Sequence, residues 1–307
     1  MRHNPTMIGR AASLSLLLLG VCAALSGPAC AAEIFYMDRD TFTNEYTGPV
    51  GPLVLSGEIV PGDYARILAK IAEDPNRFLS QNKLILASSQ GNAEEAMKIA
   101  ALVKSLYTEV IVAPLTGRCA GACFLIYAAA AARGTDGEHL LGVSRPGLAE
   151  SQWAAMPTAQ AALLEDGMQA PVRTFLSDNE VPPDIMDEMF QRPPTDIYWL
   201  SDEQETALNP KSPSFAKLLA DKCGWHDGLE RAVYQGQRPV DDLKELSACR
   251  LRTTQPEARK ALAQALKDAQ PAKPAPAAPA GKTPRVSRVP RVESRTTPSS
   301  SADPQSH

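Results

Sequence analysis

Residues 83–113 decide the fold class of this chain, and they read KLILASSQGNAEEAMKIAALVKSLYTEVIVA. The apolar runs Leu84–Ala87 and Val110–Ala113 are each the length of one buried strand. Between them, Asn92 and Glu95 have the spacing of a capping box at a helix start. Apolar residues then recur at intervals of three and four, as on the buried face of a helix: Ala96, Ile99, Ala100, Val103 and Tyr107. The segment is therefore predicted to be a β-α-β unit with two parallel strands.

The same alternation continues on both sides of this unit. Before it, Leu53–Ile59 predicts a strand, and Tyr64–Ala72 predicts a helix with one apolar face. After it we expect an alanine-rich helix, a strand, two helices, a short strand and a last helix, in this order: Gly117–Arg133, Leu140–Val143, Trp153–Phe175, Asp184–Phe190, Ile197–Leu200 and a helix starting at Ser201. Strands and helices that alternate in this way predict an α/β fold with a largely parallel sheet.

The composition limits the classes of function. The chain has 307 residues, a net charge of -4 and 44% hydrophobic residues, which is ordinary for a globular protein with one or two domains. A nucleic-acid-binding surface requires clustered Lys and Arg, and the acidic balance gives no sign of one. The four histidines are widely spaced: His3, His139, His226 and His307. A histidine-built zinc site is therefore not expected, and no motif indicates an organic cofactor.

The N-terminus has the pattern of a secretory signal peptide. Arg2 and Arg10 precede the apolar run Ala11–Leu25, and small residues follow, ending in Ala31 and Ala32. A membrane anchor is the alternative, but this run of 15 residues is shorter than the roughly 20 that span a bilayer. We therefore predict cleavage near Ala31 or Ala32 and a periplasmic or secreted protein.

Residues 270–307 have the composition of a disordered tail. Proline recurs throughout, and no Phe, Trp or Tyr follows Tyr234, so the segment cannot bury enough apolar surface to offset its chain entropy. Its six basic residues outnumber its two acidic residues, whereas the rest of the chain is acidic. It serves either as a solvated linker or as a weak electrostatic contact with anionic polymer or lipid of the cell envelope.

Cysteine usage agrees with export. Four cysteines lie outside the predicted signal peptide: Cys119, Cys123, Cys223 and Cys249. An even number in an exported protein suggests disulfides. We expect a bond between Cys223 and Cys249, because it would close a segment with little periodic core of its own. Cys119 and Cys123 are four apart at a predicted helix start, where a bond would be geometrically demanding, so two buried thiols are expected there.

The order of several short motifs resembles that of the ClpP/crotonase superfamily, although no single motif is diagnostic. In chain order they are Gly57–Ile59, Ser88–Asn92, Gly117–Ile126 and Gly142–Pro146. The likeness covers residues 53–207 and is greatest to exported ClpP-like periplasmic proteins. It implies a ββα spiral with a largely parallel sheet, and a homo-oligomer formed through the helix near Trp153. Four regions result: signal peptide (1–32), ClpP/crotonase-like domain (33–207), helical extension with a disulfide (208–269) and tail (270–307).

The resemblance also indicates where catalytic groups would lie. In peptidase members, a serine at the start of a buried helix attacks the substrate, and a histidine on the next strand takes the serine proton. The resemblance places Gly121 at the serine position and Ser144 at the histidine position, with the orienting carboxylate near Asp196. Glycine offers no nucleophile, and serine is no base near neutral pH. Since losing one member of a triad removes most of the catalysis, we expect no peptidase activity.

Backbone donors do not depend on those side chains. The resemblance assigns oxyanion-like amides to four residues: Gly91, Asn92, Gly121 and Ala122. We therefore expect a catalytically inactive scaffold, a binding or assembly module that accepts a peptide or carboxylate ligand. Arg145 follows the fourth predicted strand at the rim of the cleft. It either binds a carboxylate or caps the end of that strand.

An active periplasmic serine- or cysteine-type hydrolase with a non-standard nucleophile is the alternative. Cys119 or Cys123 would then act with His139, the nearest histidine in the sequence, or Ser88 or Ser89 would be the nucleophile, or a partner subunit would complete the site. Crotonase-like acyl-CoA chemistry needs only the oxyanion hole, but acyl-CoA is not expected outside the cytoplasm.

Overall fold

The computed structural model describes residues 31–37, 51–114, 117–208, 210–226 and 228–269. Within these ranges the chain forms eight strands and eleven helices. The strands are β1 (Glu33–Tyr36), β2 (Leu53–Ser56), β3 (Lys83–Ala87), β4 (Glu109–Val112), β5 (Cys119–Ala120), β6 (Ala132–Thr135), β7 (Leu141–Val143) and β8 (Tyr198–Trp199). The helices are α1 (Asp63–Glu73), α2 (Pro75–Gln81), α3 (Ala93–Ser105), α4 (Ala122–Ala129), α5 (Glu150–Ala154), α6 (Thr158–Asp178), α7 (Pro183–Gln191), α8 (Asp202–Ala207), α9 (Pro213–Cys223), α10 (Leu229–Tyr234) and α11 (Val240–Asp268). Residues 1–30 of the predicted signal peptide and the predicted tail at 270–307 lie outside the described residues.

Five strands form the main sheet, in the order β1-β2-β3-β4-β6. The strands from β2 to β6 are parallel, and β1 joins the edge antiparallel to β2. The register places Leu55 opposite Leu86 and Ile85 opposite Ile111. The side chains of β2 and β3 are buried almost without interruption, as in parallel strands covered on both faces. The prediction of an α/β fold with a largely parallel sheet is confirmed.

A smaller sheet has the order β5-β7-β8, in which β7 is parallel to β5 and antiparallel to β8. Three single β-bridges connect the segments after these strands. Ile59, after β2, pairs with Gly91, after β3. Ser88, also after β3, pairs with Cys119 of β5, and Asn92 pairs with Gly147 in the loop after β7. These bridges gather the carboxyl ends of β2, β3 and β7 around the end of β5. Loops at the carboxyl ends of strands are where α/β proteins usually build their sites.

Helix α4 lies in the core. All eight of its residues are buried, and none is charged, so it has no polar face. It contacts α3, whose buried residues include the predicted Ala96, Ile99, Ala100 and Val103. The first amides of a helix have no acceptor within the helix. Because α4 is buried, its first amides have little access to bulk water, so any partner they have must come from the residues or a ligand at the start of the helix.

The alanine-rich stretch Gly117–Arg133 is not the single helix that the sequence predicts. It contains β5, the short helix α4 and the start of β6. The chain leaves helical geometry at Ala130, where φ is -59° and ψ is 143°. Pairing in the main sheet places Ala132 opposite Glu109 of β4. The sheet contact therefore overrides the high helix propensity of alanine.

Two further local predictions differ in detail. The predicted helix Trp153–Phe175 is two helices, because α5 ends at Ala154 and Pro157 forms the N-cap of α6. At the start of α3, Asn92 accepts the N–H of Glu95 as predicted. The Glu95 carboxylate does not complete a capping box, since it accepts the amides at the start of α1 instead.

Helices α9 to α11 pack beside the α/β core. Ala258 and Leu262 of α11 are buried in the main hydrophobic cluster, and α11 contacts α1, α2 and α3. Arg250 of α11 forms an ion pair with Glu109 of β4, with 3.0 Å between Nη1 and Oε2. Cys223 and Cys249 are bonded, which confirms the predicted disulfide and joins α9 to α11. The division at residue 208 between the two predicted regions stays a prediction.

Candidate ligand-binding site

A sharp turn between β5 and α4 is the centre of the site. Gly121 forms this turn, with φ 57° and ψ -119°. Residues with side chains rarely adopt this conformation, whereas glycine does so at no steric cost. In α/β-hydrolases, a nucleophilic serine occupies a strained strand-to-helix turn of this kind. Here the residue at the turn has no side chain, so the turn presents only backbone atoms.

Gly121 lies at a crevice of about 30 Å³. A space of this size holds about two water-sized groups, which is also the size of the two oxygen atoms of a carboxylate. The lining comes mainly from the ends of β3, β5 and β7: Gln90, Gly91, Gly121, Ala122, Ser144, Arg145, Gly147, Leu148 and Pro194. The structure therefore brings together Gly91, Gly121, Ala122 and Ser144, which the sequence analysis assigns to one site.

Ser144 faces Gly121 across the crevice. A Cβ atom placed on Gly121 would lie 3.2 Å from Ser144 Oγ. Ser144 is only 3% exposed, and its hydroxyl has no hydrogen-bond partner in the part of the chain that the structure describes. The Oγ atom is not one of the described buried atoms that lack a partner, so it keeps access to the crevice that Ser144 lines. A ligand in the crevice would supply the missing partner.

The N-terminus of α4 contributes amide donors. Neither the Ala122 N–H nor the Cys123 N–H has an acceptor among the described residues, and no side chain caps this helix. The partial positive charge at a helix N-terminus favours an anion or a developing negative charge there. Since α4 is buried along its length, this electrostatic preference is less screened than on an exposed helix.

Arg145 is the only charged residue among those that line the crevice. Its Nη2 lies 3.5 Å from the carbonyl oxygen of Phe190, at the outer limit of a hydrogen bond. Its Nε is buried without a partner among the described residues. The guanidinium therefore keeps unused donors. This arrangement favours the first of the two roles that the sequence leaves open, binding of a carboxylate.

Gly91 and Asn92 differ in what they offer to the site. At Gly91, where φ is 140°, a Cβ atom would lie 2.5 Å from the carbonyl oxygen of Ile59, so only glycine fits. The Asn92 N–H donates to the same Ile59 oxygen at 2.7 Å, and its side chain donates to Gln152 at 2.7 Å. Contrary to the expectation, the Asn92 amide is therefore occupied, and Asn92 does not line the crevice.

A buried carboxylate lies behind the crevice wall. Oε1 of Glu165 accepts the indole N–H of Trp153 at 2.6 Å and the N–H of Leu148 at 3.2 Å. A Cβ atom on Gly147 would lie 2.8 Å from this oxygen, so glycine is needed for the wall to approach it. These contacts hold the 147–148 backbone in place. They also engage one oxygen of Glu165.

The turn at Gly121, between β5 and the first turn of α4, is called the elbow below. The expectation of two free thiols at this elbow is wrong. Cys119 and Cys123 are fully buried and form a disulfide, with 5.3 Å between their Cα atoms. The bond spans Gly121, because Cys119 begins β5 and Cys123 is the second residue of α4. Neither sulfur is then a free nucleophile. With Cys223 and Cys249 also bonded, the two disulfides indicate an oxidising environment of the extracellular type.

The other candidate catalytic residues do not line the crevice. Nδ1 of His139 lies 3.2 Å from the carbonyl oxygen of Leu200. Asp196 is half exposed and pairs with Arg192 at 3.2 Å. Ser88 is buried and donates its hydroxyl to a backbone oxygen. Among the described residues, His139 and Asp196 therefore do not join Gly121 and Ser144 in the lining of the crevice.

One carboxyl group with a shifted pKa, that of Glu205, lies at the start of β7. Burial raises the pKa of Glu205, while the hydrogen bonds that it accepts from the backbone of Leu141 and Leu140 and from Thr135 act in the opposite direction. The distance from the Leu141 nitrogen to Oε1 is 3.2 Å. Glu205 thus fixes the backbone at the start of β7 through hydrogen bonds, and this structural role accounts for its burial.

In the described ranges, no three or more His, Cys, Asp or Glu side chains are grouped so as to hold a metal ion. None of the helices in the described part of the chain is both long enough and apolar enough to cross a membrane.

No family model, curated protein sequence or solved structure matches this chain. The chemistry of the site therefore rests on its geometry. The crevice offers amide donors, a free hydroxyl and a guanidinium, and it lacks a nucleophile at the elbow and a base beside it. Sequence reasoning missed Gly147, Leu148 and Pro194, of which only Gly147, directly after Arg145-Pro146, carried a signal as a turn residue.

Proposed function

We propose that the chain is an exported ClpP/crotonase-like protein that has lost peptidase chemistry and acts as a binding or assembly module in the cell envelope. The observation that carries the proposal is the pair of Gly121 and Ser144, which face each other across the crevice. They stand where the resemblance puts a nucleophile and a base, and neither side chain can perform that chemistry. Donors for an anion are present without groups that would attack a substrate.

The local architecture supports the family part of the proposal. A short strand, a tight turn and a fully buried helix follow each other at Gly121, in the order that the resemblance gives to the region around the nucleophile. Parallel strands joined by helices surround it. The ββα spiral and the relationship to ClpP-like proteins belong to the proposal.

Export and assembly complete the proposal. The two disulfides agree with an oxidising compartment, and the signal-like sequence 1–32 would direct the chain there. The basic tail 270–307 would make a weak contact with anionic envelope polymer. Formation of a homo-oligomer is a further part of the proposal.

A covalent probe tests the absence of catalysis. The purified full chain, with both disulfides intact, should not react with a fluorophosphonate serine probe and should not cleave a peptide library. An active serine hydrolase in the same assay serves as the positive control. Labelling of any serine, accompanied by peptide turnover, would refute the proposal and favour an active hydrolase that uses Ser88, Ser89 or a partner subunit.

Restoring the missing groups tests the assignment of the two positions. Gly121→Ser combined with Ser144→His should produce slow peptide hydrolysis above that of the control pair Gly121→Ala with Ser144→His. A side chain at Gly121 is strained by about 1 to 2 kcal/mol because φ is positive, so the melting temperature must show that both pairs are folded. A folded serine-histidine variant without turnover counts against the mapping.

A further inference from the structure

We infer that the crevice at Gly121 binds the carboxylate group of a ligand, held between Arg145 and the N-terminus of α4. This inference deepens the proposed function and rests on it, because a peptidase would use the same crevice for its reaction. It names the chemical class of the ligand and the residue that selects it.

The first support is the set of donors without acceptors. The Ala122 and Cys123 amides at the start of α4 are unpaired among the described residues. Ser144 is 3% exposed, and its hydroxyl faces Gly121 without a partner among the described residues. Buried donors are normally satisfied, so donors that converge on one small space indicate a missing acceptor. The helix dipole makes an anionic acceptor the favoured one.

The second support is charge. Arg145 lines the crevice with its Nε buried and unpartnered, and no acidic residue lines the crevice with it. The Glu165 carboxylate behind the wall has an oxygen already held by Trp153 and Leu148. A guanidinium binds a carboxylate through parallel hydrogen bonds, which are stronger than bonds between neutral groups. Arg145 therefore distinguishes a carboxylate from a neutral carbonyl.

The third support is size. A crevice of about 30 Å³ has space for the two oxygen atoms of a carboxylate. Leu148 and Pro194 form an apolar part of the lining, where the carbon next to the carboxylate would lie. Small free acids and the C-terminus of a peptide share this carboxylate chemistry.

Calorimetric titration of the full chain, with both disulfides oxidised, tests the inference and its two sources. Three probes are used: sodium acetate, N-acetyl-trialanine with a free C-terminal carboxylate, and the same peptide with a C-terminal amide. The free-acid peptide should bind, and the amide should bind at least about 10-fold more weakly, since it loses a charged hydrogen bond. Acetate binding alone would assign the site to small acids, and peptide binding with weak acetate binding would assign it to chain ends.

Substitutions identify the residues involved. Arg145→Gln should weaken carboxylate binding about 30-fold, and Arg145→Lys should weaken it less because the charge remains. Arg118→Gln is the matched control, since it removes a nearby charge that stacks on Trp199, 4.6 Å from the ring centre, rather than lining the crevice. Ser144→Ala should cost about 5-fold. Melting temperatures confirm that each variant is folded.

The results separate failure of the inference from failure of the proposed function. Equal binding of acid and amide, no binding of any carboxylate, or unchanged binding by Arg145→Gln overturns the carboxylate inference and leaves an inactive scaffold. Labelling by the fluorophosphonate probe overturns the proposed function regardless of carboxylate affinity.

Discussion

The two disulfides lie in regions that they constrain in different ways. Cys119–Cys123 joins residues four apart, and both sulfurs are fully buried. Cys223–Cys249 joins residues 26 apart and borders a groove of about 530 Å³ with charged walls. By loop-closure entropy alone, the short bond contributes about 2 kcal/mol and the long bond about 3.5 kcal/mol. The bond with the smaller entropic effect is the one beside the candidate site.

The short disulfide mainly fixes the local backbone geometry around Gly121, whereas the long disulfide mainly restrains the unfolded chain. The short bond ties β5 to the first turn of α4 on either side of Gly121, so it holds the unpaired Ala122 amide toward the crevice. The long bond ties α9 to α11, a helix that packs on the core through Ala258 and Leu262. A change at the elbow should therefore alter ligand binding, whereas a change at the long bond should alter stability alone.

The largest expected loss comes from filling the space at Gly91. An alanine there would place Cβ 2.5 Å from Ile59 O and 2.7 Å from Ile59 N, at a φ of 140°. Backbone atoms cannot move away cheaply, so Gly91→Ala should lower the free energy of unfolding in urea by about 4 kcal/mol. Gly62→Ala is the control, because φ is 102° but no atom lies within 4 Å of the new Cβ. It should cost about 1 kcal/mol, and equal losses would show that close approach at the crevice is not the cause.

Removing each disulfide in turn tests the comparison directly. Cys119→Ala with Cys123→Ala loses about 2 kcal/mol of loop restraint plus roughly 1 kcal/mol of packing from the two buried sulfurs. Cys223→Ala with Cys249→Ala loses about 3.5 kcal/mol, nearly all of it loop restraint. Urea unfolding measures both, and the two pairs should be of similar stability.

Carboxylate affinity then distinguishes the two pairs. It should fall about 10-fold in the elbow pair, because the α4 amides lose their fixed direction. It should remain at the wild-type value in the Cys223 and Cys249 pair. If both pairs retained affinity, the buried bond would have no part in shaping the crevice, and the distinction between the regions would be lost.

Accessibility gives a smaller but clean difference under native conditions. Cys223 and Cys249 are partly exposed, whereas Cys119 and Cys123 are fully buried. Thiol attack on a disulfide requires access to a sulfur. Mild dithiothreitol should therefore reduce the long bond first, with the short bond protected until the core opens. Alkylation followed by peptide mass mapping reports the order, and simultaneous reduction would mean that the elbow opens as readily as the extension.

The sheet and the buried faces of the helices were predictable because apolar residues recur in the sequence at the spacing of strands and helices. Leu84–Ala87 and Val110–Ala113 became neighbouring parallel strands. Ala96, Ile99, Ala100 and Val103 of α3 face the core as expected, whereas Tyr107 lies beyond the end of α3 at a φ of 54°. The run of alanines after α4 was misassigned, because alanine favours a helix wherever no other contact decides. Here Ala132 lies opposite Glu109 in the sheet, a pairing between distant parts of the chain that no local pattern reveals.

The site was predictable only in part for a similar reason. The resemblance placed Gly121 and Ser144 in one site, and in the structure they face each other across the crevice. The Cys119–Cys123 bond was missed because both residues were expected within one helix start. In the structure, Cys119 belongs to a strand, and the turn at Gly121 brings the Cα atoms to 5.3 Å. The availability of Arg145 depends on what lies around it, which only three-dimensional packing determines.

Helix α11 is joined to strand β4 of the main sheet by an ion pair between Arg250 and Glu109, and Lys83 also lies beside Glu109. Burial alone would raise the pKa of Glu109, but Arg250 and Lys83 beside it outweigh burial, so the pKa is lowered in the folded protein. A carboxyl whose folded pKa is depressed contributes stability above its unfolded pKa, and this contribution is lost as pH falls through the folded pKa. The stability that holds α11 to β4 is therefore present at neutral pH and lost in acid.

The smallest predicted effect follows from that link. A double-mutant cycle with Glu109→Gln and Arg250→Gln should give a coupling of about 1 kcal/mol at pH 7. The contribution of the pair to stability should begin to fall below about pH 4.5, the ordinary value for a glutamate, and the coupling should be lost as pH falls through the lower folded pKa of Glu109. Glu73→Gln, at an exposed carboxylate that pairs with Lys70 on the surface, should leave the pH dependence of unfolding as in the wild type. A coupling that is absent at pH 7 would mean that α11 is held by apolar packing alone, and that the long disulfide restrains a helix whose docking is independent of charge, whereas a coupling that persists unchanged in acid would show that ionisation of Glu109 is not its source.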